Sequence, residues 1–75
     1  MTYNDFVERV GWGEEFTFVY NSDQYWISQN KDGHYLTRIR DSFTQKFLTV
    51  PELFENGKID DKSIIELWHY IGDQL

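Results

Sequence analysis

Seventy-five residues with six Phe, five Tyr, three Trp, no Cys and a formal net charge of −6 fit one domain over residues 1–75, because a chain this short buries only about 60 % of the surface it exposes when unfolded. The core must then be built from a few large aromatic side chains. The absence of Cys excludes a disulfide framework and a thiolate zinc site. No apolar run approaches the ~18 residues of a membrane span, and MTYNDFVERV lacks the basic-then-apolar order of a leader, so a soluble, cytoplasmic protein is expected.

Thr2, with Asp5 three residues on, has the spacing of a helix start. Tyr3, Phe6, Val7 and Val10 follow at helical spacing before Gly11 and Gly13. A short helix over about 3–10 is expected; it is too short to persist unless its apolar stripe docks. Trp12, between the two glycines, is expected to plug the helix end against the core. From Glu14 the period becomes two, with Phe16, Phe18 and Tyr20 in one row. Asn21 to Gln24 is a turn cluster. If Tyr20 pairs with Tyr25 across it, Phe16, Phe18, Tyr20, Tyr25 and Ile27 share a face and Trp26 takes the other.

Asn30-Lys31-Asp32-Gly33 suits a three-residue hairpin whose glycine is left-handed and bulged. Asn30 then faces His34 and Ile27 faces Thr37. On this register Tyr25, Ile27, Tyr35 and Ile39 point inward, and Trp26, Ser28, His34, Leu36, Arg38 and Arg40 point outward. A two-residue Asp32-Gly33 turn would instead join Leu36 to Ile27 and bring Arg38 beside them. The first register is preferred because it keeps both arginines out of the core.

A fourth strand, Phe43 to Leu48, follows the Asp41-Ser42 turn, with its register open. Thr49-Val50-Pro51-Glu52 is a capping box with Pro in the first turn, starting a helix over about 50–55 that ends at Asn56-Gly57. Beyond an anchor at Ile59, a last helix capped by Asp60, Asp61 or Ser63 carries Ile64, Leu67, Trp68, Ile71 and Leu75 on one face. The expected fold is α+β: a short N-terminal helix, a four-stranded antiparallel meander sheet and two C-terminal helices packed on one sheet face. Three short helices cover one face of such a sheet, so the second face is expected to be open.

The row Phe16, Phe18, Tyr20, then Tyr25 and Ile27, an aromatic strand, Phe47, the ELFENGKID segment and the terminal SIIELW helix together resemble a small uncharacterised α+β protein family of Gram-positive bacteria and their mobile elements. The resemblance covers nearly the whole chain and extends to DFVERVGWG. It implies a small α+β domain with no assigned activity and no catalytic residues to carry over.

Constellations that would carry chemistry are sparse. His34 and His69 lie on different elements without further ligands at metal spacing. Ser28 and His34 lack an orienting acid and an oxyanion hole. Glu14-Glu15 and Asp60-Asp61 are adjacent pairs that diverge rather than converge. Gly11-Trp12-Gly13 lacks the rest of any phosphate-binding fingerprint. No cofactor, no metal and no enzymatic activity are expected.

Charge is uneven: residues 1–23 hold five acids and one base, residues 24–48 two acids and four bases, and residues 49–75 six acids and two bases. The open face, with Val19, Trp26, His34, Leu36, Arg38 and Arg40 as candidate contact residues, is read as a protein-binding surface, since Trp and Arg are enriched at binding hot spots. The competing readings are a solvated face with scattered apolar residues, an inhibitor or immunity protein of a mobile element acting through its acidic ends on a basic partner, and a single-stranded nucleic-acid binder, which the acidic ends disfavour. A monomer or weak homodimer with an unidentified protein partner is expected.

Overall fold

The computed structural model describes residues 1–75. Helix α1 (Tyr3–Gly11) leads into strands β1 (Phe16–Tyr20), β2 (Asp23–Asn30), β3 (Gly33–Arg38) and β4 (Phe43–Phe47), then helices α2 (Val50–Asn56) and α3 (Ile64–Ile71), and a 3-10 turn (Gly72–Gln74). The strands form one antiparallel sheet in sequence order. This is the expected α+β meander, and its helices pack on one sheet face.

The helix starts follow their caps. The Thr2 hydroxyl accepts from the Asp5 amide at 3.1 Å, and the Asp5 carboxylate accepts from the Thr2 amide at 3.3 Å. Ser63 and Glu66 close the same reciprocal box at α3. Each box satisfies amide donors that a helix start leaves unpaired. At α2 only half of the box forms. Thr49 accepts from the Glu52 amide, but the Glu52 carboxylate reaches past the cap to the Leu48 amide at 3.1 Å.

The core lies between the helices and one sheet face. Phe6 and Val10 of α1, Leu53 and Phe54 of α2, Ile59, and Ile64, Leu67 and Ile71 of α3 meet Phe18, Tyr25, Ile27 and Leu36 of the sheet. Phe6 is the hub, with its ring 4.9 Å from Phe16, 5.7 Å from Phe54 and 5.2 Å from Trp68. One side chain thus ties α1 to the sheet and to both later helices. Each enclosed Leu, Ile or Phe contributes roughly 1.5–3 kcal/mol through removal from water. Trp12 takes no part in this; it is 69 % exposed, and the helix stops instead where its own amide bonds back to Glu8 and Arg9.

Both hairpins turn through two residues, and this corrects the expected registers. In the first, Tyr20 pairs with Asp23 rather than Tyr25, and Asn21 and Ser22 take left-handed φ of 52° and 68°. The slip is two residues, so the faces are as expected. In the second, Asn30 pairs with Gly33 and Ile27 with Leu36. That slip is one residue, and it inverts β3. Leu36, expected outside, is 1 % exposed in the core. His34 and Arg38 turn to the helix side with it, while Tyr35 and Ile39, expected inside, face away.

Arg38 stays out of the core although it shares the row of Leu36. Its strand position is opposite Phe43, at the sheet margin, where the guanidinium grips Asp41 at 3.0 and 2.8 Å and lies 5.3 Å from the Phe43 ring centre. The charge is therefore paired and solvated, and the penalty that made this register unattractive in the sequence does not arise.

Candidate functional site

Strand pairing defines the open face row by row. Thr17, Trp26, Thr37 and Thr44 form one row across all four strands. Ser28, Tyr35 and Lys46 flank it on one side, and Val19 and Gln24 on the other. The Ile39 amide donates to the Gln24 carbonyl at 2.9 Å, which continues the alternation of β3 by one residue and brings Ile39 into the Val19 row. Trp26, Val19 and Ile39 are 39 %, 49 % and 40 % exposed. The face therefore presents an apolar centre among threonine hydroxyls.

Its polar groups hold this arrangement. The Trp26 indole N–H donates to a Glu15 carboxylate oxygen at 3.1 Å, so the ring's polar edge is anchored toward the β1 side. The Thr37 and Thr44 hydroxyls share a hydrogen bond of 3.0 Å, a cross-strand pair of the kind that stiffens a sheet. The Tyr35 hydroxyl donates to Asn30 Oδ1 at 2.9 Å, and the same oxygen accepts from the Asp32 and Gly33 amides. Tyr35 is thus fixed by the turn that sets the register of its own strand.

Of the six candidate contact residues, the structure brings together Val19 and Trp26. Leu36 belongs to the core. His34 lies on the helix side opposite Gln29 and Phe47, and its Nδ1 is buried without a hydrogen-bond partner in the chain. Arg38 is at the sheet margin. Arg40 sits in the β3–β4 loop, gripping Asp23 at 2.8 and 3.3 Å. Tyr35, Thr37 and Ile39, which the sequence reading had inside or unassigned, complete the face. No local signal separates the two registers, because an Asn before the turn can serve the turn amides of either loop length.

Electrostatically the chain neutralises its own arginines. Arg9 grips Glu14 through two bonds of 2.7 Å, Arg38 grips Asp41, and Arg40 grips Asp23. The hydrogen bonds from Arg38 hold the Asp41 carboxyl down at about 2, and those from Arg9 hold Glu14 below the usual carboxylate range. Three of the thirteen acids are used in these pairs, leaving the rest to carry the surface charge.

Ser28 and His34 lie on opposite faces, so they do not form a nucleophile and base pair. No three His, Asp or Glu side chains are placed to share a metal ion, the surface holds no pocket, and no helix is long and apolar enough to cross a membrane. What the arrangement offers chemically is a partly apolar patch. No protein-family model, no curated protein and no solved structure matches this chain.

Proposed function

We propose that this chain is a protein-binding module, acting by contact rather than catalysis, whose contact surface is the open sheet face centred on Trp26. The observation that carries the reading is the exposure of Trp26, Val19 and Ile39 on the face that no helix covers, with Val19 and Ile39 in the row next to Trp26, on either side of Gln24. A large aromatic ring with aliphatic neighbours and a hydroxyl rim is the make-up of a binding hot spot. The Glu15 anchor on the indole restricts the ring before a partner arrives, which lowers the ordering cost of binding. The test compares wild-type and Trp26→Ala chains as bait. The substitution is expected to cost less than about 1.5 kcal/mol of stability, so both baits are folded, and the wild type should retain a protein that Trp26→Ala loses. Retention of every partner by Trp26→Ala overturns the reading.

A second reading has its own observation in its favour. The three arginines pair with three of the thirteen acids and leave ten acids against four lysines, an excess that suits an inhibitor or immunity protein steered to a basic partner. Its mark is affinity that falls steeply with ionic strength. The same pairing weakens a nucleic-acid reading, because a phosphate would have to displace the carboxylates that Arg38 and Arg40 already hold.

A further inference from the structure

Sequential strand order makes β1 an edge of the sheet. A two-residue hairpin closes on the hydrogen-bonded pair Tyr20 and Asp23. Alternation then points the backbone N–H and C=O of Thr17 and Val19 away from β2. Such groups invite another strand unless something occupies them. On Val19 something does: its amide donates to Gln74 Oε1 at 2.7 Å, and Gln74 Nε2 donates to its carbonyl at 2.7 Å. A carboxamide here supplies the one acceptor and one donor that a single residue of a neighbouring strand would supply. No side chain does the same for Thr17.

We propose that β1 is a strand-addition edge whose occupant is β1 of a second copy of this chain, and that the Gln74 carboxamide is the stand-in that keeps the edge closed in the free protein. The strand itself, Phe16-Thr17-Phe18-Val19-Tyr20, has no charge and no Pro, two of the devices that protect an edge. The other edge, β4, carries exposed Lys46, so the two edges are not equivalent.

The sequence of β1 is self-complementary about a two-fold axis through Phe18. Antiparallel pairing there sets Thr17 opposite the second copy's Val19, and each such pair exchanges both of its outward bonds. Phe18 meets its own mate, Phe16 meets Tyr20, and Glu15 meets Asn21, so no like charges are opposed. Both residues with outward-facing groups are satisfied, including Thr17, which Gln74 cannot serve. Opening requires the Gln74 side chain to leave Val19 and the 3-10 turn to move aside. Strand addition uses the backbone edge of β1 and needs nothing of the open face.

Sedimentation equilibrium on the full chain tests it. Gln74→Ala removes the competing amide from an exposed position, and self-association should tighten at least about tenfold. Because two copies each carry −6, the association should strengthen with added salt, opposite to the charge-steered binding considered above. Adding Val19→Pro, which deletes an outward N–H without touching the bonds to β2, should restore the monomer. If that variant does not fold, hydrogen exchange decides: the Thr17 amide should gain protection as Gln74→Ala is concentrated. A Gln74→Ala chain that is monomeric at about 1 mM, a dimer lost with Trp26→Ala instead, or an unprotected Thr17 amide in the dimer overturns the proposal.

Discussion

The two hairpins turn through the same number of residues by different means. The β1–β2 turn uses backbone conformation: Asn21 and Ser22 both have positive φ, the mirror-image turn whose twist matches the flanking strands. The β2–β3 turn uses side-chain chemistry. Neither Lys31, Asp32 nor Gly33 has positive φ, and the loop is held by Asn30 Oδ1, which accepts from two turn amides and from the Tyr35 hydroxyl. The first hairpin therefore stores strain at two non-glycine residues, whereas the second carries no such residue and is held by side-chain bonds. What depends on them also differs, because the second decides which face of β3 is inside.

The largest effect expected from this difference is on β3 itself. Leu36→Ala should destabilise the protein by roughly 2–5 kcal/mol, through lost burial and the cavity left among Ile27 and the helices. Ile39→Ala, on the open face, should cost under about 1.5 kcal/mol. Denaturant melts of the two variants read the register directly. Equal losses, or a larger loss at Ile39, would mean that β3 presents its other face to the helices.

A smaller effect is expected at Gly33. Its φ is ordinary, so the glycine is not there to turn the chain. A Cβ at this position would lie 2.7 Å from the Phe47 carbonyl oxygen and 3.2 Å from Lys46 Cε, because β4 passes directly beside it. Lysine carbon can yield, but strand backbone cannot yield without shifting β4. Gly33→Ala should therefore cost about 1–3 kcal/mol, the range for overpacking a closed site. A melt midpoint equal to that of the wild type would show that β4 moves freely, and with it that the second hairpin is less constrained than the first.

Gly33 also explains where the residues alone mislead. Its sequence neighbours ask for a left-handed glycine, whereas its reason is the approach of β4 some fourteen positions later, a tertiary contact that no local pattern carries. The resulting one-residue slip moved Leu36 out and Tyr35 and Ile39 in, since side chains alternate with period two. In the first hairpin the observed register differs from the expected one by two residues, and Phe16, Phe18, Tyr20, Tyr25, Ile27 and Trp26 lie on the faces expected for them. Helices fared better because their signals are local. Thr2 with Asp5, Ser63 with Glu66, and the stripe Ile64, Leu67 and Ile71 are decided within a few turns of chain. For the open face, Val19 and Trp26 were legible by parity alone. The grip of Gln74 on Val19, across 55 positions of chain, leaves no trace in pattern or spacing.

The smallest effect tests the strain assigned to the first turn, and it has the opposite sign. Ser22 holds φ of 68°, a conformation that carries a steric penalty for any residue with a Cβ, while glycine adopts it freely and loses only its greater freedom in the unfolded chain. Asn followed by Gly is also the preferred pair for this turn. Ser22→Gly should accordingly stabilise the protein by up to about 1 kcal/mol, visible as a higher denaturant midpoint with an unchanged slope. The matched substitution in the second hairpin, Asp32→Gly, relieves no positive φ and adds unfolded-state freedom, so it should destabilise slightly. If both glycines moved the midpoint the same way, the contrast between a strained turn and a side-chain-bound one would fail. Opposite signs would show that this sheet closes its two hairpins by two distinct physical routes.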